Sequence, residues 1–221
     1  MKNKSAALQT ILGASLFLIF ILFTVLVMTV NVAPIGPNGS SVGLSTLNGA
    51  FREAFGYSSV LSVVSEILGF IAWLAPLAFC LLGFLQLLKR KDLRKVDADI
   101  YVLAGAYVVM MMAYVFFEIF VVNCRPILEE GVLEASYPSS HTLLSLVLFG
   151  TALRQIALRI PKKPLRCALL ILVSLLLLGT VACRLLSGVH WITDIIGGVL
   201  LGSSIVLLCN GVSAFVREKG N

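Results

Sequence analysis

Charge is scarce along this chain of 221 residues: Asp, Glu, Lys and Arg make up 13% of it, against a hydrophobic share of 59%. Soluble domains average about 25% charged and roughly 45–50% apolar residues, so the shortage excludes an ordinary soluble domain. Histidine is rarer still, with two copies, and any imidazole chemistry has to use His141 and His190. The five cysteines, Cys80, Cys124, Cys167, Cys183 and Cys209, lack metal-ligand spacing. Cys80, Cys167 and Cys209 read as small apolar packing residues. Cys124 and Cys183 each precede an arginine, which admits a disulfide, free thiols being the stronger expectation. A cleavable signal peptide is not expected, because the first apolar run is too long and has no small-residue cleavage site. There is no long-period repeat, no low-complexity tract, and none of the paired broken helices or inverted repeats of many transporters.

What the chain does have is apolar runs, with a mean hydropathy of +1.01. A spanning helix needs about 20 such residues, which leaves room for about six spans. They are placed at about 8–31, 67–88, 100–122, 141–160, 167–186 and 190–216. The expected fold is all-α, a six-span transmembrane helical bundle forming a single membrane-embedded domain over 1–221. Pro76 predicts a kink in the second span. Gly197, Gly198 and Gly202 predict close helix contact along the sixth. Between the first two spans, Leu44, Leu47, Phe51 and Phe55 fall at helical spacing. An outer amphipathic segment over about 44–66 and an ordinary ordered loop are equally good readings there.

The net charge of +6 is topological and does not mark a nucleic-acid partner. Fourteen of the 17 cations lie at the two termini, between Lys89 and Lys95, or between Arg154 and Arg166. These are alternate segments, so the positive-inside rule puts both termini and those turns in the cytoplasm. The exceptions are Arg52, Arg125 and Arg184, and the last two sit among other chemically capable groups.

Two apolar runs meet at Cys183-Arg184-Leu185-Leu186-Ser187-Gly188-Val189-His190-Trp191-Ile192-Thr193-Asp194. If the second run is helical from its start, His190 and Asp194 share a face one turn apart. A carboxylate there can orient an imidazole and stabilise its cationic form. Arg184 supplies a cation able to fork onto a phosphate. Ser187-Gly188 reads as a turn and N-cap, and free amides at a helix start attract anions. Pro138-Ser139-Ser140-His141 reads as another helix start, with a histidine able to give a proton to a leaving oxygen. Singly, each residue has a structural reading, such as a snorkelling arginine or a hydrogen-bonding histidine. Both histidines, two arginines and an aspartate at the end of the bundle expected to be poor in cations point instead to phosphate chemistry.

These stretches resemble the signature of the type-2 phosphatidic acid phosphatase superfamily: K-x6-R-P, then P-S-G-H, then S-R-x5-H-x3-D. Arg125-Pro126 fits the end of the first motif. Pro138-Ser139-Ser140-His141 fits the second, with Ser140 in the glycine place. Arg184, His190 and Asp194 fit the third, with Cys183 in place of its serine. The resemblance implies that His190 forms a phosphohistidine, that Asp194 orients it, and that His141 acts as acid and then as base. It further implies that Arg125, Arg184, Ser139 and Ser140 hold the phosphoryl oxygens, with no metal and no cofactor.

Glu118 departs from the pattern, standing where the family has lysine. It removes a phosphate-binding cation and repels an anion, pairs with Arg125 about two helical turns away, or contacts another part of the substrate. The implied activity is hydrolysis of a phosphate monoester or diphosphate of a lipid: a polyprenyl diphosphate, phosphatidylglycerol phosphate or phosphatidic acid. The expected location is a bacterial cytoplasmic membrane, with the site on the outer face. The alternatives are a lipid phosphotransferase using the same histidines and a non-catalytic lipid-binding or transport relative. The oligomeric state is not legible.

Overall fold

The structure is a computed structural model that describes residues 2–219. Met1, Gly220 and Asn221, part of the expected 1–221 domain, lie outside the described residues. Its elements are α1 (Lys2–Thr29), α2 (Ser45–Phe55), α3 (Ser59–Ala72), α4 (Leu74–Arg90), α5 (Ala98–Ile119), α6 (Ser140–Arg159), α7 (Lys163–Leu186) and α8 (Ile192–Lys219). Taking α3 and α4 together, six helical segments are long and apolar enough to cross a bilayer. The expected all-α, six-span bundle is what the chain forms.

The bundle is built around α6 and α8. Of their apolar windows 50% and 56% is buried, against 17% or less for each of the other four segments. Those four turn most of their surface outward, as helices facing lipid do. Glycine makes the central contact tight, as its spacing on α8 predicts. A Cβ at Gly198 would sit 2.9 Å from Thr142 Cβ and 3.0 Å from the Ser139 carbonyl oxygen, and one at Gly202 2.8 Å from Leu146 Cβ. Without side chains there, the two backbones close up.

The second span begins at Ser59, not near 67, and its helix is interrupted at Trp73. Pro76 is the cause: it offers no N–H to the ladder, and its ring crowds the carbonyl four residues earlier, on Ala72, where α3 ends. The segment before it also differs from the expected amphipathic stretch. Only Ser45–Phe55 forms the separate helix α2, and its buried residues are the polar Ser45 and Asn48, while Leu47 and Phe55 are exposed. The helix buries polar side chains against the protein and turns Leu47 and Phe55 away, while Leu44 and Phe51 are half-buried. Its polar groups have partners that only the folded chain supplies.

At the end of the bundle away from those loops, ion pairs tie the helices together. Arg159 meets Asp97 at 2.9 Å and Asp99 at 2.8 Å, and Arg217 meets Asp99 at 3.1 Å. Burial pushes the Asp97 carboxyl up, but hydrogen bonds from Arg159, Arg90 and Gln86 outweigh it and hold it at about 2. Cys124 and Cys183 are free thiols, with no disulfide between them.

Candidate active site

The segments carrying the three motifs meet at one end of α6 and α8. The Ser139 amide donates to the Asp194 carbonyl at 2.9 Å, joining the second motif to the third. The hydroxyl of Ser139 caps α6, accepting from the Thr142 amide at 3.4 Å. Ser139 is fully buried, its hydroxyl engaged at the helix start and its amide with Asp194. The phenol of Tyr137 bonds Thr24 at 2.8 Å and its ring packs on Phe20 and Phe117, which pins the approach to α6 against α1 and α5.

The turn into α8 is held from α2. Gly188 adopts φ of 69°, in the left-handed region that favours glycine, and a Cβ there would clash with the Gly56 carbonyl. Arg52 donates to the carbonyl oxygens of Gly188 and Gly56. Asn48 donates to Thr193 Oγ1 at 3.0 Å and accepts from the Thr193 amide at 3.3 Å. One of the exceptional cations, Arg52, is thus an anchor for the loop that carries His190.

That loop differs from the expected helix start. α8 begins at Ile192, so His190 lies before the helix and Asp194 within its first turn. Asp194 is fully buried, and its Oδ2 accepts the Trp191 amide at 2.9 Å while its Oδ1 faces the Asn123 amide at 3.4 Å. Capping the helix in this way leaves the carboxylate 3.6 Å from His190 Nδ1, beyond a direct hydrogen bond. Ser136 fills the gap: its hydroxyl lies 2.9 Å from Nδ1 and also bonds Asp194 Oδ2. The other ring nitrogen of His190, Nε2, is buried without a partner among the described residues. Burial, then the positive charges of Arg184 and Arg125, hold this imidazole well below its ordinary range. It is therefore neutral near pH 7.

His190 shares a pocket with Glu118, Ser140, Tyr114 and Tyr137. His141 lines a separate cleft with Glu66, Gly69, Trp73 and Ser145, and its Nδ1 is buried without a partner among the described residues. A Cβ at Gly69 would lie 3.0 Å from the His141 ring, so a larger residue there would press on it. Arg184 is 1% exposed. It reaches Ser65 Oγ at 3.3 Å and Glu66 at 3.9 Å. Arg125 is braced by Glu129 and, at 3.3 Å, by Glu134. Those two acids, rather than Glu118, are its partners, which removes the Arg125–Glu118 pairing. Glu118 instead stays exposed at the pocket.

Sequence reasoning placed His190, Asp194, Arg184, Arg125, Ser139, Ser140 and His141 at this end, but it missed Ser136, Asn123, Asn48 and Arg52 in supporting positions. Ser136 lies two residues before the motif stretch beginning at Pro138, and Asn123 two before Arg125. Neither residue type signals anything without its partner in space.

The fold and this end of it define a class: a six-span helical membrane protein with histidines, arginines and a buried aspartate gathered where its connecting loops meet. The chain belongs to the PAP2 superfamily, whose family model matches residues 74–217. No curated protein matches the sequence itself. Among solved structures, it resembles the crystal structure of the first transmembrane PAP2 type phosphatidylglycerolphosphate phosphatase from Bacillus subtilis. The TM-score is 0.64 at 19% identity, over 95% of this chain and 97% of the other. That likeness is one of fold.

Proposed function

We propose that the protein is a lipid phosphatase that hydrolyses a phosphate monoester or diphosphate of a membrane lipid through a phosphohistidine. The observation that carries this reading is His190: a buried imidazole with Nδ1 held by a hydrogen bond and Nε2 unpartnered. A neutral imidazole with one nitrogen held and the other free is poised as a nucleophile. In the first step the Nε2 lone pair forms a bond to phosphorus as the bond to the leaving oxygen breaks, and protonated His141 gives that oxygen its proton. In the second, neutral His141 takes a proton from water, the water oxygen displaces Nε2, and inorganic phosphate leaves. Arg125, Arg184 and Ser140 hold the phosphoryl oxygens, with Ser139 fixing the helix start beneath them. Glu118 faces the substrate from the wall of the same pocket.

Membership of the PAP2 superfamily and a structural relative described as a phosphatidylglycerolphosphate phosphatase support a lipid phosphate as the substrate class. Phosphatidylglycerol phosphate, phosphatidic acid and polyprenyl diphosphate all pair a charged head with a tail that stays in lipid. Cation placement supports cytoplasmic termini and a site on the outer face. The test is phosphate release by purified protein in detergent from a panel of lipid monophosphates and diphosphates. At least one should be turned over, and His190→Ala should cut that turnover by roughly 10³-fold or more. Near-parent turnover in His190→Ala would remove His190 as the nucleophile.

A further inference from the structure

We infer that Ser136 is a positioning residue that sets the tautomer of His190, standing between the imidazole and the carboxylate that would otherwise orient it directly. Its link to catalysis rests on His190 being the nucleophile; its link to the tautomer rests on geometry alone.

A serine hydroxyl has one hydrogen to give and lone pairs to receive. Ser136 Oγ has two neighbours that compete for that hydrogen, Asp194 Oδ2 and His190 Nδ1. Asp194 is arranged as an acceptor, with an N–H donor directed at each oxygen, from Trp191 and Asn123. The hydrogen of Ser136 therefore goes to Asp194, and Ser136 accepts from Nδ1. Nδ1 carries the proton and Nε2 keeps its lone pair. With Nδ1 3.6 Å from the carboxylate, Asp194 imposes this arrangement through Ser136.

The serine is held for the task. It is 3% exposed, and its amide donates to the Asn123 carbonyl at 2.9 Å. The Asn123 side chain reaches back to Asp194 and accepts from the Gly43 amide at 3.2 Å. Asn123, Ser136 and Asp194 thus form one buried hydrogen-bonded unit on the side of His190 away from its free nitrogen. When Nε2 takes the phosphoryl group, the proton stays on Nδ1 and the ring becomes cationic. Ser136 and Asp194 then lie on the side where that charge is best met.

Only two histidines occur in the sequence, so ¹⁵N-histidine NMR of the detergent-solubilised full chain reads the tautomer directly, with His141→Gln assigning the signals. The parent should show His190 protonated at Nδ1. In Ser136→Ala that preference should be lost, kcat should fall about 10- to 100-fold, and KM should stay within about twofold. Ser136→Thr, which keeps the hydroxyl, should restore the tautomer and most of kcat. A parent His190 protonated at Nε2, or a Ser136→Ala protein with tautomer and kcat unchanged, would overturn the inference. Should Ser136→Ala fail to fold, the parent spectrum decides by itself. If His190→Ala stays active while the parent tautomer is as expected, the phosphohistidine reading falls and the role of Ser136 in holding the ring stands.

Discussion

His190 and Glu118 face one pocket with opposite electrostatic character. The imidazole sits behind protein atoms beside cations, so the folded chain resists protonating it. Unfolded, it takes a proton near pH about 6.5. Above that pH both states are neutral and folding loses nothing; below it the unfolded chain gains a proton that the folded chain refuses, and stability drops. The melting temperature in detergent should therefore fall more steeply from pH 7 to pH 5 for the parent than for His190→Gln; equal slopes would contradict a buried neutral imidazole. Glu118 places a negative charge where the family pattern has lysine. Reversing it removes a repulsion and adds an attraction worth about 1 kcal/mol or more at close range. Glu118→Lys should raise kcat/KM on a simple phosphate monoester by about tenfold. A fall would show that the carboxylate contacts a donor group on the substrate.

The helices that carry the chemistry are positioned by contacts remote from it. α6 and α8 lie close because Gly198 and Gly202 bring no side chain between them, and the Ser139–Asp194 link depends on that distance. Gly198→Leu inserts a side chain against Thr142 and the Ser139 carbonyl. Overpacking of this kind costs about 1–3 kcal/mol. The expected outcome is a lower melting temperature in detergent together with loss of phosphate release. A protein of parental stability and activity would show that the helices can separate without disturbing the site. α2 teaches a related point. Its apolar spacing at Leu44, Leu47, Phe51 and Phe55 was legible in sequence, but its buried stripe is polar, because Asn48 and Arg52 find partners in Thr193 and Gly188 more than 130 residues further along the chain. Hydrophobic periodicity tells where a helix is apolar, without telling which stripe the protein covers.

For the molecule as a whole, the two ends of the bundle do different work. One is clamped by Asp97, Asp99, Arg159 and Arg217; the other gathers the loops around the histidines. In the proposed mechanism, Arg125 and Arg184 meet the phosphate charge and His190 supplies the nucleophile, so no step calls for a metal ion. Phosphate release should persist in excess chelator, measured on a lipid monophosphate in detergent. Loss of activity restored by magnesium would contradict that mechanism.

Composition and run length alone determined that this chain is a helical bundle of six spans, because a bilayer leaves the backbone few ways to satisfy its own polar groups. Motif spacing alone brought out His141, His190, Asp194, Arg125 and Arg184, because those residue types are costly in an apolar setting and stand out against it. Only the tertiary structure decided that Asp194 caps a helix and reaches His190 through Ser136, that Arg125 leans on Glu129 and Glu134, and that Arg52 is an anchor. Serine, asparagine and glutamate are ordinary in loops. What sets these apart is the neighbour each meets from a distant part of the chain, and a hydrogen bond's length and direction exist only once the helices have packed.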